Sequence, residues 1–307
     1  MAIAERCRSW ERWGAEDELG AANTVTAERI AIAARLVDSG KAFSLAIPLD
    51  RNGPQHAHTM RCNPQHVMLR SGIDVIANAP AGSLSMASTD DAVYMPLQAG
   101  TQWDALCHVF FDGHTYNGRG PETVSSNGAS HASITNIKDR ALGRGVLLDL
   151  PRHQGRAHLD PGEAIQADDL EACASGQGVE IGSGDFVIVR TGHMERCRAG
   201  GSWADYAGGP APGLGVSAAE FLCQRDVAAV ATDTWGAEVL PFETADLRFP
   251  VHIILLVNAG IYIGEMWDLS ALAEDCACDG RYAFFLCAAP ITVSGSVGSP
   301  INPIAVK

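Results

Sequence analysis

The chain has 307 residues, of which 47% are hydrophobic and 19% are charged, so it can bury a large core. A formal net charge of −14 argues against nucleic acid and anionic membranes as partners, because both require clustered Lys and Arg, and leaves small molecules as the expected ligands. No stretch has the apolar length of a signal peptide or a membrane-spanning helix, so we expect a cytoplasmic protein.

The first part of the chain predicts a helix, a strand and a long loop. Residues 26–40 carry apolar side chains at helical spacing after Thr26, which can cap the helix, and residues 43–47 predict a short strand. The segment 50–80 is rich in His, Pro, Asn and Gly and predicts a loop. Its histidines are expected to be solvated or hydrogen-bonded rather than bound to a metal: His56, His58 and His66.

The later part of the chain alternates between strand and helix patterns. Continuous apolar runs predict buried strands at residues 145–150, 185–192, 227–233 and 282–288. Helices are predicted at residues 168–174, after a capping box at Ser217, at 252–257 and at 268–275. This alternation favours an α/β fold whose functional loops follow the carboxyl ends of the strands. We divide the chain into an N-terminal arm and helix (1–40) and an α/β domain (41–307).

Nine cysteines are scattered without C-x-x-C spacing, which favours free thiols in a reducing compartment over disulfides or a structural zinc site. Cys107 lies within the motif at residues 98–108, which combines a carboxylate, an imidazole and two side-chain amides. In a strand its thiol would point away from Asp104, so we expect it to be a packing residue.

That motif, QAGTQWDALCH at residues 98–108, places four polar side chains on one face if it is extended: Gln98, Gln102, Asp104 and His108. On a straight strand Asp104 and His108 would be roughly 13 Å apart, too far to bind one ion. We therefore expect His108 to be a neighbour of any metal rather than its ligand. The residues alone are equally compatible with an ordinary polar strand end.

A second candidate pair is His252 and Glu265. An apolar helical run follows His252, Gly260 can end it, and residues 261–263 return as a strand. This geometry permits Glu265 to approach His252 without requiring it. Taken alone, the two residues are more typical of a core histidine and a surface acid.

The first motif resembles the signature H-x-G-T-H-x-D-x-P-x-H of the cyclase family, the hydrolases that include bacterial kynurenine formamidase and isatin hydrolase. Gly100, Thr101, Asp104 and His108 match it, whereas Gln98 and Gln102 replace histidines and Leu106 replaces proline. The later segment is similar to the second signature of the family, with His252 and Glu265 at its conserved positions. Matching features at residues 12–20 and 298–303 extend the resemblance over nearly the whole chain.

This resemblance implies a swivelling β/β/α domain with a mostly buried central sheet, assembled into a homodimer or homotetramer. In dinuclear members one metal is bound by the signature histidines, which are glutamines here. The other is bound by residues that correspond to Asp104, His252 and Glu265, so the resemblance implies one zinc or manganese ion. Gln102 could add a weak carbonyl ligand.

The implied function is hydrolysis of an amide or ester, such as a cyclic amide or a lactone. In this hypothesis the metal polarises the substrate carbonyl and activates water, while His108 and Asp104 are catalytic and His108 moves the proton. The residues expected to bind substrate are Gln98, Trp103, Phe110, Tyr116 and Trp235. Two alternatives remain: a metal-free lyase or isomerase that uses Asp104 and His108, and a small-molecule-binding protein without catalysis.

Overall fold

The computed structural model describes residues 2–56, 60–78 and 86–307. Its helices are α1 (Ala2–Arg6), α2 (Ala27–Ala34), α3 (Gly72–Ala77), α4 (Leu150–His153), α5 (Ala167–Gly176), α6 (His193–Arg198), α7 (Val216–Gln224), α8 (Pro250–His252) and α9 (Ser270–Asp279), and a π-helix (Ile253–Ala259) follows α8 directly. Short 3₁₀ helices lie at Gly20–Thr24, Tyr116–Gly118, Pro121–Thr123 and Ile134–Ile137.

The strands are β1 (Ala42–Ser44), β2 (Gln65–Arg70), β3 (Asp90–Tyr94), β4 (Gln102–Asp104), β5 (Val124–Ser125), β6 (Gly128–Ala129), β7 (Leu142–Asp149), β8 (Ala164–Ile165), β9 (Phe186–Arg190), β10 (Gly213–Leu214), β11 (Ala229–Thr232), β12 (Tyr262–Glu265), β13 (Ala283–Cys287), β14 (Gly298–Pro300) and β15 (Ile304–Val306).

Nine of the strands in the described ranges form one curled mixed sheet, in the order β1-β15-β13-β7-β9-β11-β12-β4-β14. Strands β7, β9, β11 and β12 are parallel, and antiparallel strands extend the sheet on both sides. Parallel strands are normally covered on both faces, which explains why β9, β11 and β12 are buried almost throughout and have continuous apolar sequences. The predicted α/β class is confirmed.

Trp103 on β4 anchors the side of the sheet that faces away from the motif's carboxylate. Its ring is fully buried, its Nε1 donates to the carbonyl of Ala288 at 2.7 Å, and its centroid lies 5.0 Å from that of Trp267. The cross-strand partner of Trp103 is Gly264. A Cβ at position 264 would lie 2.7 Å from the indole, so glycine makes room for this packing.

The predicted N-terminal arm packs on the same core as the rest of the chain, where several of its residues are buried: Ala4, Ala21, Ala22 and Val25. Trp10 donates from Nε1 to the carbonyl of Val257 at 2.7 Å, and Ser9 donates from Oγ to the carbonyl of Ala259 at 2.7 Å. These carbonyls lie at the end of the π-helix, where helical partners run out. The arm therefore fastens the helical segment that begins with α8 and contains His252.

Some local predictions are wrong. The predicted loop at 50–80 contains β2 and α3, and α3 begins with a capping box formed by Ser71 and Asp74, a pattern visible in the sequence. Helix α7 begins after Gly215 instead of being capped by Ser217, whose hydroxyl bonds the Gln166 side chain. Helix α2 is capped by Thr26 as predicted, but it ends at Ala34 and not near residue 40. The strands β14 and β15, which follow β13, were not predicted.

In the described residues, no helix combines the length and the apolar character that crossing a bilayer requires.

Candidate metal centre

The centre is built on the antiparallel pairing of β4 with β12. Gln102 is directly opposite Glu265, and Asp104 is two residues further along β4, so all three side chains share one face of the sheet. Gln102 donates from Nε2 to Asp104 Oδ1 at 3.1 Å and to Glu265 Oε2 at 2.8 Å. One amide group thus bridges the two carboxylates.

His252 approaches the same carboxylates from α8. Pro250, whose fixed φ suits the first position of a helix, begins α8 directly after Phe249, which has a positive φ of 56°. His252 Nε2 lies 3.3 Å from Glu265 Oε1 and 4.0 Å from Asp104 Oδ2. One ligand atom from each of these three buried residues lies within 4.8 Å of the others. The structure therefore brings together the three predicted metal ligands.

Glu238, which the sequence analysis did not single out, orients His252. Its carboxylate is hydrogen-bonded to His252 Nδ1 and also accepts the backbone N–H groups of Val251 at 3.3 Å and His252 at 3.2 Å. A carboxylate that holds one ring nitrogen fixes the direction of the other, as in many metal-binding histidines. Glu238 thereby directs Nε2 towards Glu265.

The buried charge of the centre favours a cation. Burial raises the pKa of Asp104, although the nearby His108 opposes this effect. Burial alone would lower the pKa of His252, but hydrogen bonds to Glu238 and Glu265 raise it well above its ordinary value. Three buried carboxylates around one imidazole are costly unless positive charge compensates them. Two carboxylates and one imidazole nitrogen form a donor set that suits zinc or manganese.

Gln102 points its amide nitrogen, and not the carbonyl oxygen that was predicted as a weak ligand, at the two carboxylates in this structure. Its amide nitrogen faces Asp104 and Glu265, and its Oε1 is buried without a hydrogen-bond partner within the described chain. An amide NH₂ group donates hydrogen bonds and does not coordinate a cation. The negative charge of the two carboxylates explains this orientation, because a carbonyl oxygen in the same place would be repelled.

His108 lies beside the centre because the chain turns after Asp104. The His108 N–H donates to the carbonyl of Ala105 at 3.0 Å, and His108 Nε2 lies 3.8 Å from Asp104 Oδ1. The predicted separation of roughly 13 Å is wrong, since it assumed a continuous strand. The side chain of His108 is 23% exposed, whereas that of Asp104 is 2% exposed. This position suits a group that exchanges protons with solvent.

The structure corrects two of the predicted substrate contacts. Trp103 belongs to the core on the opposite face of β4 from Asp104. Tyr116 is also fully buried, and its hydroxyl donates to Asp17 Oδ2 at 2.9 Å. Both rings support the fold rather than wall a site, because the alternation of strands and core packing turn them inwards.

The other predicted contacts have different surroundings. The amide nitrogen of Gln98 is buried without a hydrogen-bond partner among the described residues, and Phe110 is 36% exposed. Trp235 lines a cavity, with the Arg61 guanidinium 5.7 Å from its ring centroid. The positions of Gln98, Phe110 and Trp235 do not show whether these residues contact a substrate, so their assignment as substrate-binding residues stays a prediction.

The cysteines and loop histidines behave as ordinary structural residues where they are described. All nine cysteines have free thiols, and burial raises the pKa of Cys107 to about 12, which suits packing rather than catalysis. His56 is hydrogen-bonded to the carbonyl of Ala207, and His66 to Asp91. His58 lies outside the described residues.

Comparison with known proteins identifies the family. The model of the family named Cyclase matches residues 43–239, more than half of the chain. The chain belongs to the Cyclase family. A crystal structure described as a novel cyclase is 42% identical, with a TM-score of 0.89 and 99% of each chain covered. We find no match among curated proteins.

Two more distantly similar solved structures share the fold. Isatin hydrolase A from Labrenzia aggregata, bound to benzyl benzoate, is 20% identical with a TM-score of 0.63, and the match covers 86% of this chain and 93% of that one. A predicted metal-dependent hydrolase from Bacillus stearothermophilus is 19% identical with a TM-score of 0.56, covering 87% and 98%. The predicted cyclase-like fold is therefore confirmed.

Glu238→Gln is expected to weaken zinc binding by about 10- to 100-fold, because a neutral amide holds the His252 ring less firmly than a carboxylate does. Competition titration against a zinc chelator measures this change. Glu243→Gln is the matched control, since Glu243 accepts hydrogen bonds from Gln166 and Val216 instead. Equal zinc affinities in all three proteins would show that Glu238 does not support the site.

Proposed function

We propose that this chain is a metal-dependent hydrolase that opens an amide or ester bond of a small molecule, with cyclic amides and lactones as the first candidates. The observation that carries the proposal is the buried cluster of Asp104, His252 and Glu265, whose ligand atoms lie within 4.8 Å of one another. Membership of a family whose structural relatives include hydrolases supports it.

Asp104, Glu265 and the Nε2 atom of His252 would hold one divalent cation, zinc or manganese. When bound, such an ion supplies Lewis-acid chemistry: it polarises a carbonyl group and lowers the pKa of water. The buried side chains of Asp104 and Glu265 lie in a low-dielectric environment, where their charges act strongly on a cation. Glu238 keeps Nε2 of His252 directed at the centre.

His108 moves the proton in this proposal. Its Nε2 is 3.8 Å from Asp104 Oδ1 and its side chain is partly exposed, so the ring can exchange protons with solvent while it faces the centre. It would accept a proton from the attacking water and return it to the leaving nitrogen or oxygen. Asp104 would be the metal ligand that the His108 ring faces.

We propose one ion rather than two. Gln102 donates hydrogen bonds to both carboxylates, at 3.1 and 2.8 Å, and so places an NH₂ group, which cannot coordinate, where a second cation would need a ligand. The family resemblance also implies one ion per chain, since the two signature histidines that bind the second metal in dinuclear members are Gln98 and Gln102 here. A cytoplasmic location and a homodimer or homotetramer stay predictions.

Metal analysis and a substrate screen test the function. Protein purified without added metal is expected to contain about one equivalent of zinc or manganese per chain and to hydrolyse a member of a panel of lactones and cyclic amides. Chelation should abolish turnover, and either ion should restore it. Less than about half an equivalent of metal, unrestored by zinc or manganese, would instead favour a metal-free lyase or isomerase, or a binding protein.

His108→Ala should lower turnover by about 100-fold or more and keep the metal, because the variant lacks the proton carrier but retains the ligands. Steady-state kinetics and metal analysis on the same preparation measure both quantities. His114→Ala is the control, since the contacts described for this exposed ring are a hydrogen bond to the Asp112 carbonyl and a tilted ring contact with Trp10, with the centroids 6.3 Å apart. Loss of metal from His108→Ala would identify His108 as a ligand, and unchanged turnover would exclude it as the proton carrier.

A further inference from the structure

A cavity of about 660 Å³ lies against the loop after β11, and the same loop contacts Glu265 of the candidate metal centre. Trp235 forms part of its wall, and the guanidinium groups of Arg61 and Arg248 are among its lining groups. Its volume falls within the range of sites that bind small molecules. Both its position and its charge indicate what it binds.

Trp235 connects the cavity with Glu265. It belongs to the loop after β11, and two residues further on the Ala237 N–H donates to Glu265 Oε1 at 3.2 Å. A Cβ built on Gly236 would lie 3.9 Å from the same oxygen. The loop after β11 thus lines the cavity with the Trp235 side chain and contacts the Glu265 carboxylate with its backbone.

The two arginines connect the cavity with the other ligands. The Arg248 guanidinium lies 5.9 Å from the ring centroid of Phe249, whose ring meets that of His252 edge-on at 5.5 Å. Arg61 donates from Nη1 to the carbonyl of Gln98 at 3.1 Å, and its positive charge lowers the pKa of Asp104 against the effect of burial. Arg61 is therefore held near Asp104 by its hydrogen bond, whereas the exposed Arg248 is connected to His252 through the ring of Phe249.

The cavity is positively charged in a chain whose formal net charge is −14. One acidic residue among the described lining residues is Asp205. Arg196 lies within ion-pair distance of the Asp205 carboxylate, at 3.5 Å, and offsets its charge. An anion near the carboxylates of the centre would be repelled unless local cations attracted it. Two guanidinium groups supply that attraction, and their planar N–H groups match the two oxygens of a carboxylate.

We propose that this cavity binds a flat apolar group bearing a carboxylate, and that Arg61 and Arg248 hold the carboxylate. If the chain is the hydrolase proposed above, its substrate is then an amide or ester with a carboxylate separate from the bond that is cleaved. The apolar surface of Trp235 receives the flat group, and the arginines select for negative charge.

Benzoate and benzamide are suitable probes because they share a ring and differ in charge. Calorimetric titration of the metal-loaded protein should show benzoate binding at least about 10-fold more tightly than benzamide, as expected for charge-assisted hydrogen bonds. Arg61→Gln and Arg248→Gln should each lower benzoate affinity by about 10-fold and leave benzamide affinity unchanged. Arg225→Gln, which removes an exposed ion pair with Glu171, should change neither affinity.

Equal binding of the two probes, or wild-type benzoate affinity in both cavity variants, would overturn the proposal. Benzoate could also bind the metal directly. In that case Asp104→Asn would lower its affinity while Arg61→Gln and Arg248→Gln would not, and this inference would fail while the hydrolase proposal stood. Arg248 is exposed, so Arg248→Gln is expected to fold, as thermal melting would verify. The binding result is independent of whether any ester or amide is hydrolysed.

Discussion

Two buried carboxylates on neighbouring strands, Asp104 and Glu265, are the constraint on which the site depends. Buried negative charges of this kind must be compensated by hydrogen bonds, by an imidazolium or by a cation. The surrounding groups meet part of that requirement from several directions: the Gln102 amide from the sheet, the Ala237 N–H from the loop after β11, and His252 from α8. Two N–H donors and one imidazole do not balance the negative charge of Asp104, Glu265 and Glu238, and a cation would supply the rest. Asp104, Glu265 and His252 therefore form an anionic site assembled from separate parts of the chain.

The position of His252 depends on contacts other than those with Asp104 and Glu265. Glu238 fixes its ring, while the N-terminal arm bonds the last carbonyls of the π-helix that continues α8. π-helical segments occur frequently at functional sites, where the extra residue redirects a side chain. The arm packs on the common core and fastens the helical segment that contains His252, without contributing a ligand.

The sequence predicted much of this because the relevant signals are local. The sequence predicts a helical run at 252–257, a stop at Gly260 and a return strand at 261–263, and the structure has a π-helix at Ile253–Ala259 and β12 at Tyr262–Glu265. The family signature selected the ligands. Glu238 was missed because it lies outside both signature segments of the family, and no spacing rule joins it to His252. The turn that returns His108 towards Asp104 was also missed, since the motif was interpreted as one continuous strand.

The substrate contacts were the least predictable part. Aromatic residues near a motif are as suitable for a core as for a pocket, and the pleat of β4 places Trp103 in the core. The charge of the cavity was not visible either, because Arg61 and Arg248 lie in segments that are far apart in the chain and meet only through the fold.

The central claim is that the site formed by Asp104, Glu265 and His252 binds one divalent cation. Anomalous diffraction at the zinc absorption edge, from crystals grown with zinc, tests it most directly. The account predicts a single peak per chain, bounded by Asp104, Glu265 and Nε2 of His252, with the Gln102 amide still directed at the carboxylates. A zinc-treated crystal with no peak among these side chains, or with two peaks per chain, would contradict it.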